Sequence, residues 1–404
     1  MTQKWKSDLW YTSSWNHLDQ VAKQYHFKDQ IKIHDVTLRD GEQQAGLVLT
    51  SEQKVTLAEK MDEVGIHRIE AGMPAVSKED SDAIKTIVKK KLSAEIFGFA
   101  RCMVEDVKRS ADCGVDGIVI EIPSNEQMIE KAYRWDLQKA IDLSIQATLA
   151  AKKAGLYTVF FPIDMTRASM DWVLELIESV ANQGHMDALA LVDTMGGLAP
   201  HTVPLLVDTV KSRINKPLEL HFHDDFGLGS ANSIMGLAAG ADVVHTTISA
   251  CGERAGNAAY EDIALALLTM YGKDIGLDYS KIYPLSQLFR EMLDFPVRTN
   301  RGIVGDRIFD IESGIVAGWY NNVKENDLLL VAPYLPELVG HKKSNIVLGK
   351  HSGIPSLDDW LDRENLKLTK EEKTALLADV KLRAYQNSGL LSKQDFDQLV
   401  QRYK

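Results

Sequence analysis

The chain has 404 residues, of which 45% are hydrophobic and 25% charged, proportions that allow a sizeable core and exclude disorder as the default. A formal net charge of -11 repels phosphate backbones and anionic lipid, which argues against nucleic acid and membrane surfaces as general partners. Cys102, Cys113 and Cys251 are sparse and show no CxxC spacing, so neither a disulfide framework nor a thiolate zinc cage is suggested; with no secretory h-region and no run of about 18 apolar residues, a soluble cytoplasmic protein is expected.

Residues 1–30 are polar and aromatic and are expected to form an N-terminal extension that wraps the rest of the fold or a neighbour. From 31 to 274, eight short apolar runs alternate with stretches of helical period: IKIHDV, HRIEAG, EIFGFA, GIVIEI, TVFFPI, ALALVDT, LELHFHDD and VVHTTISAC. After the first run, Thr50 and Gln53 have capping-box spacing, Leu57, Ala58, Met61 and Val64 share a helical stripe, and Gly65 can close the helix. Gly114, Gly155, Gly184 and Gly240 stand in the same place before later strands. No GxGxxG follows the first strand and no GxxxxGK[ST] follows any strand, so an open nucleotide-binding sheet is disfavoured. Eight βα units instead predict a closed (β/α)8 TIM barrel, an α/β fold of roughly 250 residues. Over 275–404 the rhythm gives way to charged, amphipathic helices such as LTKEEKTALLADVKLRAYQNSG, a C-terminal, mostly helical accessory region suited to oligomerisation.

Barrel enzymes place their chemistry at the C-terminal ends of the strands, and the polar residues gather there. Strand one runs into Arg39, Asp40 and Gln43, strand two ends at Glu70, strand three at Arg101, strand six at Thr194, and strand seven at His221 and His223. Residues i and i+2 of a strand share a face, so the two histidines can present two imidazole nitrogens to one ion. With Asp40 and an amide such as Asn257 they make a mixed N/O set for a divalent cation, and Mg, Mn, Zn or Co all suit it. The bland alternative is a pair of hydrogen-bonded core histidines. Arg39 suits stabilisation of an enolate or alkoxide oxygen, or a plain ion pair with Asp40. Arg101 and Arg167 suit either a substrate carboxylate or barrel acids, and Thr194 either a ligand oxygen or a helix cap. The glycine-rich run SACGERAGNAAYED, which holds Glu253, lets backbone approach a ligand, while Cys251 inside it reads as packing.

These segments resemble the DRE-TIM metallolyases, the superfamily of 2-isopropylmalate, homocitrate and citramalate synthases and of hydroxymethylglutaryl-CoA lyase. TLRDGEQQAG is similar to its first-strand signature, IEAGMP to its second-strand segment, LVDTMGGLAP to its DTxG segment, HFHDDFGLGSAN to its HxHND motif and GERAGN to its eighth-strand loop. The resemblance implies Asp40, His221, His223 and Asn257 as metal ligands and Arg39 as the group polarising a keto oxygen. Gln43, Glu70, Arg101 and Thr194 fall where the family contacts substrate or orders its site. NRGIVGDRIFDIESGI and IVLGKHSG resemble elements of the synthase branch, which implies an acyl-CoA co-substrate, a 2-keto acid and a homodimer.

Three positions depart from the synthase pattern. Ile163, with Asp164 beside it, stands where strand five commonly ends in an acid–base glutamate; Ile311 and Val316 replace histidines; and Asp224 replaces the asparagine of HxHND. Asp164, His351 and Tyr320 are the candidate substitutes for the missing proton-transfer group. The expected activity is a Claisen-type condensation of acetyl-CoA with a 2-keto acid to a 2-hydroxy diacid. A lyase or aldolase running the reverse cleavage, and a catalytically silent keto-acid sensor, are the alternatives.

Overall fold

A computed structural model describes residues 4–403. Eight parallel strands close in sequence order into a barrel: β1 Lys32–Asp35, β2 Arg68–Glu70, β3 Glu95–Arg101, β4 Gly117–Pro123, β5 Tyr157–Ile163, β6 Ala188–Asp193, β7 Leu218–Phe222 and β8 Val243–Thr246. Each of the eight apolar runs overlaps one of these strands, and where a strand is longer it exceeds its run by a single residue. The helices between them are α1 Ser51–Val64, α2 Lys78–Lys89, α3 Val104–Cys113, α4 Leu137–Lys153, α5 Met170–Gln183, α6 Val203–Arg213, α7 Gly229–Ala238 and α8 Tyr260–Tyr271. At α1 both halves of the Thr50–Gln53 capping box form, and Gly65 ends the helix at φ 92°. Gly184 behaves differently: its φ is -99°, and what it supplies is room, since a Cβ there would lie 2.7 Å from Thr148 Oγ1.

The strands bury two different faces. Ile33, Ile69, Ile96, Ile118, Ile120, Leu218 and Leu220 point outward onto the helices and form the main core. The lumen is polar and aromatic instead. His34 pairs in register with Arg68 and His245, and the Phe97 ring lies 4.8 Å from that of His34. This departs from the Val/Ile/Leu layers that usually fill such barrels. Arg68 with Glu219 and Arg39 with Glu70 show how buried charges are held there as mutual partners.

The chain divides into two compact units, residues 14–297 and residues 1–13 with 298–404. A boundary at 274/275 therefore cuts the first unit, because α9 (Ile282–Leu293) packs on α1 and Gln53 Nε2 donates to Met292 O at 3.3 Å. Residues 14–30 belong with the barrel, where Tyr25 and Phe27 pack on Tyr271.

In the second unit, α10 (Gly314–Val323), α11 (Ile354–Arg363), α12 (Lys370–Asn387) and α13 (Lys393–Val400) accompany a two-stranded parallel pair, Asp310–Ile311 with Asn345–Ile346. Its core joins Leu357, Leu361, Leu376, Val380 and Phe396. Among the described residues no helix is long and apolar enough to cross a membrane.

Candidate active site and metal centre

The turn after β1 and the end of β7 meet at the C-terminal mouth of the barrel. His221 Nε2 lies 3.2 Å and His223 Nε2 3.8 Å from Asp40 Oδ2, and the two Nε2 atoms are 3.4 Å apart. All three side chains are buried. Burial opposes charging of Asp40, but the Arg39 guanidinium with His221 and His223 outweighs it and holds the carboxyl well below its usual range. Burial pushes His221 down to about 3, so its ring is neutral and keeps a lone pair for an ion.

Asn257 completes the group. Its Nδ2 donates to Asp40 Oδ1 at 3.1 Å, while its Oδ1 is buried with no hydrogen-bond partner. An orphaned buried oxygen beside a carboxylate and two imidazoles fits a divalent cation. The loop after β8 is shaped to bring Asn257 there: a Cβ on Gly256 would lie 1.8 Å from Ala250 O, and one on Gly252 2.2 Å from Asn257 Nδ2. Ser249, Ala250 and Arg254 in this loop take positive φ, strain of the kind that clusters at functional sites.

Arg39 sits between the ligands and the lumen. Its Nε donates to Glu70, its Nη1 to Asp40 Oδ2 at 3.0 Å and to Gln43 Oε1 at 3.2 Å, and its Cζ lies over the Phe99 ring, 3.9 Å from the centroid. Arg39 Nη2 is buried without a partner, a donor left for a ligand oxygen. Beneath the ligands runs a second tier. His221 Nδ1 meets His245 Nδ1 at 3.3 Å, His245 Nε2 meets Glu219 Oε2 at 2.8 Å, and Arg68 Nη1 donates to Glu219 Oε1 at 2.7 Å. A chain of this type orients a metal-binding imidazole. His34, Glu219 and His245 also satisfy ligand spacing, but Arg68 already holds Glu219 and its charge opposes a cation there.

The structure thus brings Arg39, Asp40, Gln43, Glu70, His221, His223 and Asn257 together. The other sequence candidates are engaged differently. Both guanidinium arms of Arg101 bind Asp106, at 2.6 and 3.1 Å, and Arg167 grips both oxygens of Asp164 at 2.7 Å. The second pair occupies Asp164, which was a candidate base. Thr194 Oγ1 accepts from Asp164 N at 2.8 Å, so it ties the β5 and β6 loops together rather than capping a helix. Glu253 is exposed, 3.8 Å from Arg254. Asp224 Oδ1 accepts from Gly229 N at 2.7 Å, which ties its carboxylate to the start of α7. Burial pushes the Cys251 thiol well above its ordinary value, consistent with packing. His351 and Tyr320 belong to the second unit, where the exposed His351 donates its backbone N–H to Glu312 Oε1 at 2.9 Å.

One residue escaped the sequence reading. Glu121, in the apolar run GIVIEI, pairs in register with Arg101 on β3 and Phe161 on β5. It shares the lumen-facing side of β4 with Gly117, whose Cβ would meet the Phe97 ring at 2.3 Å. Burial raises its carboxyl to about 7; Arg39 and Arg101 pull against that rise, and Glu70 and Asp40 add to it. The signal was a lone glutamate four residues after Gly117, at the C-terminal end of an otherwise apolar strand.

Residues 30–289 match the HMGL-like family. A homocitrate synthase of Methanothermobacter thermautotrophicus is 35% identical over 355 residues, covering 88% of this chain and 89% of its own. A putative (R)-citramalate synthase of Archaeoglobus fulgidus is 39% identical over 353 residues, covering 87% of this chain and 71% of its own. The crystal structure of the Bacillus subtilis HMG-CoA lyase superposes with a TM-score of 0.61 at 22% identity, covering 67% of this chain and 96% of that one, a likeness of fold. The chain therefore belongs to the HMGL-like family, within the synthase branch of the DRE-TIM metallolyases.

Proposed function

We propose that the protein condenses acetyl-CoA with a 2-keto acid in a Claisen-type reaction and releases a 2-hydroxy diacid and CoA. The observation that carries this reading is the joint placement of Asp40, His221, His223 and Asn257 with Arg39, whose free Nη2 faces no protein acceptor. Relatives named homocitrate and citramalate synthases support the direction of bond formation. A divalent cation, Mg, Mn, Zn or Co, held by those four residues would chelate the keto acid and polarise its carbonyl.

The chain's own residues do the rest. Arg39 donates to the oxygen on which charge develops and is held in place by Glu70 and Gln43. Glu70 is thereby a positioning residue. The Glu219–His245 pair keeps His221 in the tautomer that leaves Nε2 free. Phe99 and Phe161, 5.7 Å apart in the lumen, keep water from the reacting carbons. Arg101, Arg167, Thr194 and Glu253 line the rim as candidate contacts for the substrates, and the second unit, with His351, is the candidate dimerisation region. A cytoplasmic setting suits the three buried free cysteines.

The test is release of free thiol from acetyl-CoA with a panel of divalent metals and a row of 2-keto acids including pyruvate, 2-ketoisovalerate and 2-ketoglutarate. Metal-dependent release that requires one keto acid and is lost in His223→Ala is the expected outcome. No release across the row, together with formation of a free keto product or aldehyde from a hydroxyacyl thioester, would replace this reading with the reverse cleavage.

A further inference from the structure

Condensation needs a group to take a proton from the acyl methyl, and that group must be a base not already bound to something else. Around the mouth most carboxylates are committed. Asp40 lies among the ligands, and Glu70 is ion-paired with Arg39. Asp164 is gripped at both oxygens by Arg167. Asp193 accepts from Thr166 Oγ1 at 2.7 Å and Leu198 N at 2.9 Å, Asp224 holds the α7 N-terminus, and Asp225 pairs with Arg254. Glu121 accepts no hydrogen bond at its side chain and forms no ion pair among the described residues, although it is only partly exposed and faces the lumen. Leaving a largely buried carboxylate without donors costs free energy, which a purely structural residue would have no reason to bear.

Resting on the condensation reading, we infer that Glu121 is the general base of this site. Its carboxylate takes a proton from the methyl of the acetyl thioester; the C–H electron pair becomes the enolate, whose carbon bonds to the keto carbon. The keto π pair moves to oxygen, and that oxygen takes the proton back from Glu121, restoring the carboxylate. Water then cleaves the thioester to a carboxylate and the CoA thiol with release of one proton, so the carbon skeleton, the charge and the catalyst all balance.

Arg39 is the positive charge with the strongest hold on both Glu121 and Asp40, so the two carboxylates share one cationic neighbour. The charged or titratable groups facing Glu121 are Arg39 and Asp40 after β1, Glu70 on β2, Arg101 on β3 with Cys102 next to it, and Tyr133 in the helical turn after β4. The base must be ionised, so kcat/KM rises with pH through the Glu121 value of about 7, and a bound cation moves that limb lower.

The experiment uses the full chain loaded with its activating metal, acetyl-CoA and whichever keto acid the wild type accepts. Glu121→Gln is expected to lower kcat by about 10²–10⁴-fold with little change in the keto-acid KM, and to lose the acidic limb of the pH profile. Glu121→Ala is expected to regain turnover with added formate, in proportion to its concentration, which a structural role would not produce. Glu121→Gln with near wild-type kcat, or a loss confined to KM, overturns the role of Glu121 alone. A wild type that releases no CoA with any keto acid overturns the condensation and this role together.

Discussion

Asn257 shows how much a single position depends on its neighbours' lack of side chains. Gly252 and Gly256 have φ of 145° and 88°, and both leave space that any Cβ would fill. Gly256→Ala is therefore expected to displace the Asn257 amide and weaken divalent-metal binding by roughly 10–100-fold, the range seen when the support of a ligand is lost. Titration calorimetry with Mn would measure this, and unchanged affinity would show that Asn257 is no ligand. Arg39 gives a kinetic counterpart. Arg39→Gln removes the donor aimed at the developing oxyanion, and kcat should fall by about 10²–10³-fold while the metal stays bound.

At the scale of an element, β1 carries opposite burdens on its two faces. His34 points into the lumen, whereas Asp35 points outward, fully buried, with Oδ1 accepting from Thr37 N at 2.9 Å and Oδ2 unsatisfied. Burial raises Asp35 from 3.8 to about 7 despite the hydrogen bond from Thr37. Between those values the folded state holds a proton that the unfolded chain has lost. Stability therefore falls as pH rises through that window and levels off above about 7. Asp35→Asn should flatten this slope, with a difference on the order of a few kcal/mol between the two ends of the window. Urea unfolding midpoints at mildly acid and alkaline pH would test it; parallel pH dependence in both proteins would show that Asp35 is not the source.

For the whole molecule, the ligand cluster draws Asp40, His221, His223 and Asn257 from β1, β7 and the loop after β8, so an ion bound there ties distant parts of the barrel together. At 100 times Kd a ligand adds about 2.7 kcal/mol to stability. In a barrel of this size that corresponds to a rise in Tm of a few degrees. Saturating Mn or Mg should raise the melting temperature of the wild type, chelator should reverse the rise, and His223→Ala should show neither. An equal response in the variant would place the ion elsewhere.

Much of this was legible in order along the chain. Eight apolar runs, each followed by a helical stripe and a stop, predict a barrel because every unit buries the same outward face. His221 and His223 declare a shared direction through two-residue strand spacing, and Asp40 stands at a strand end where barrels keep chemistry. What depends on closure was hidden. Arg101 and Arg167 could serve a substrate carboxylate or barrel acids alike until folding set Asp106 and Asp164 beside them, and Glu121 read as one letter in an apolar run until β3 and β5 turned it into the lumen. The boundary near 297 was likewise invisible, because α9 belongs to the barrel through packing on α1 rather than through the βα rhythm. Local periodicity fixes which face of an element is buried. Which charges are paired and which are left free is decided only when strands distant in sequence bring their side chains within a few ångströms.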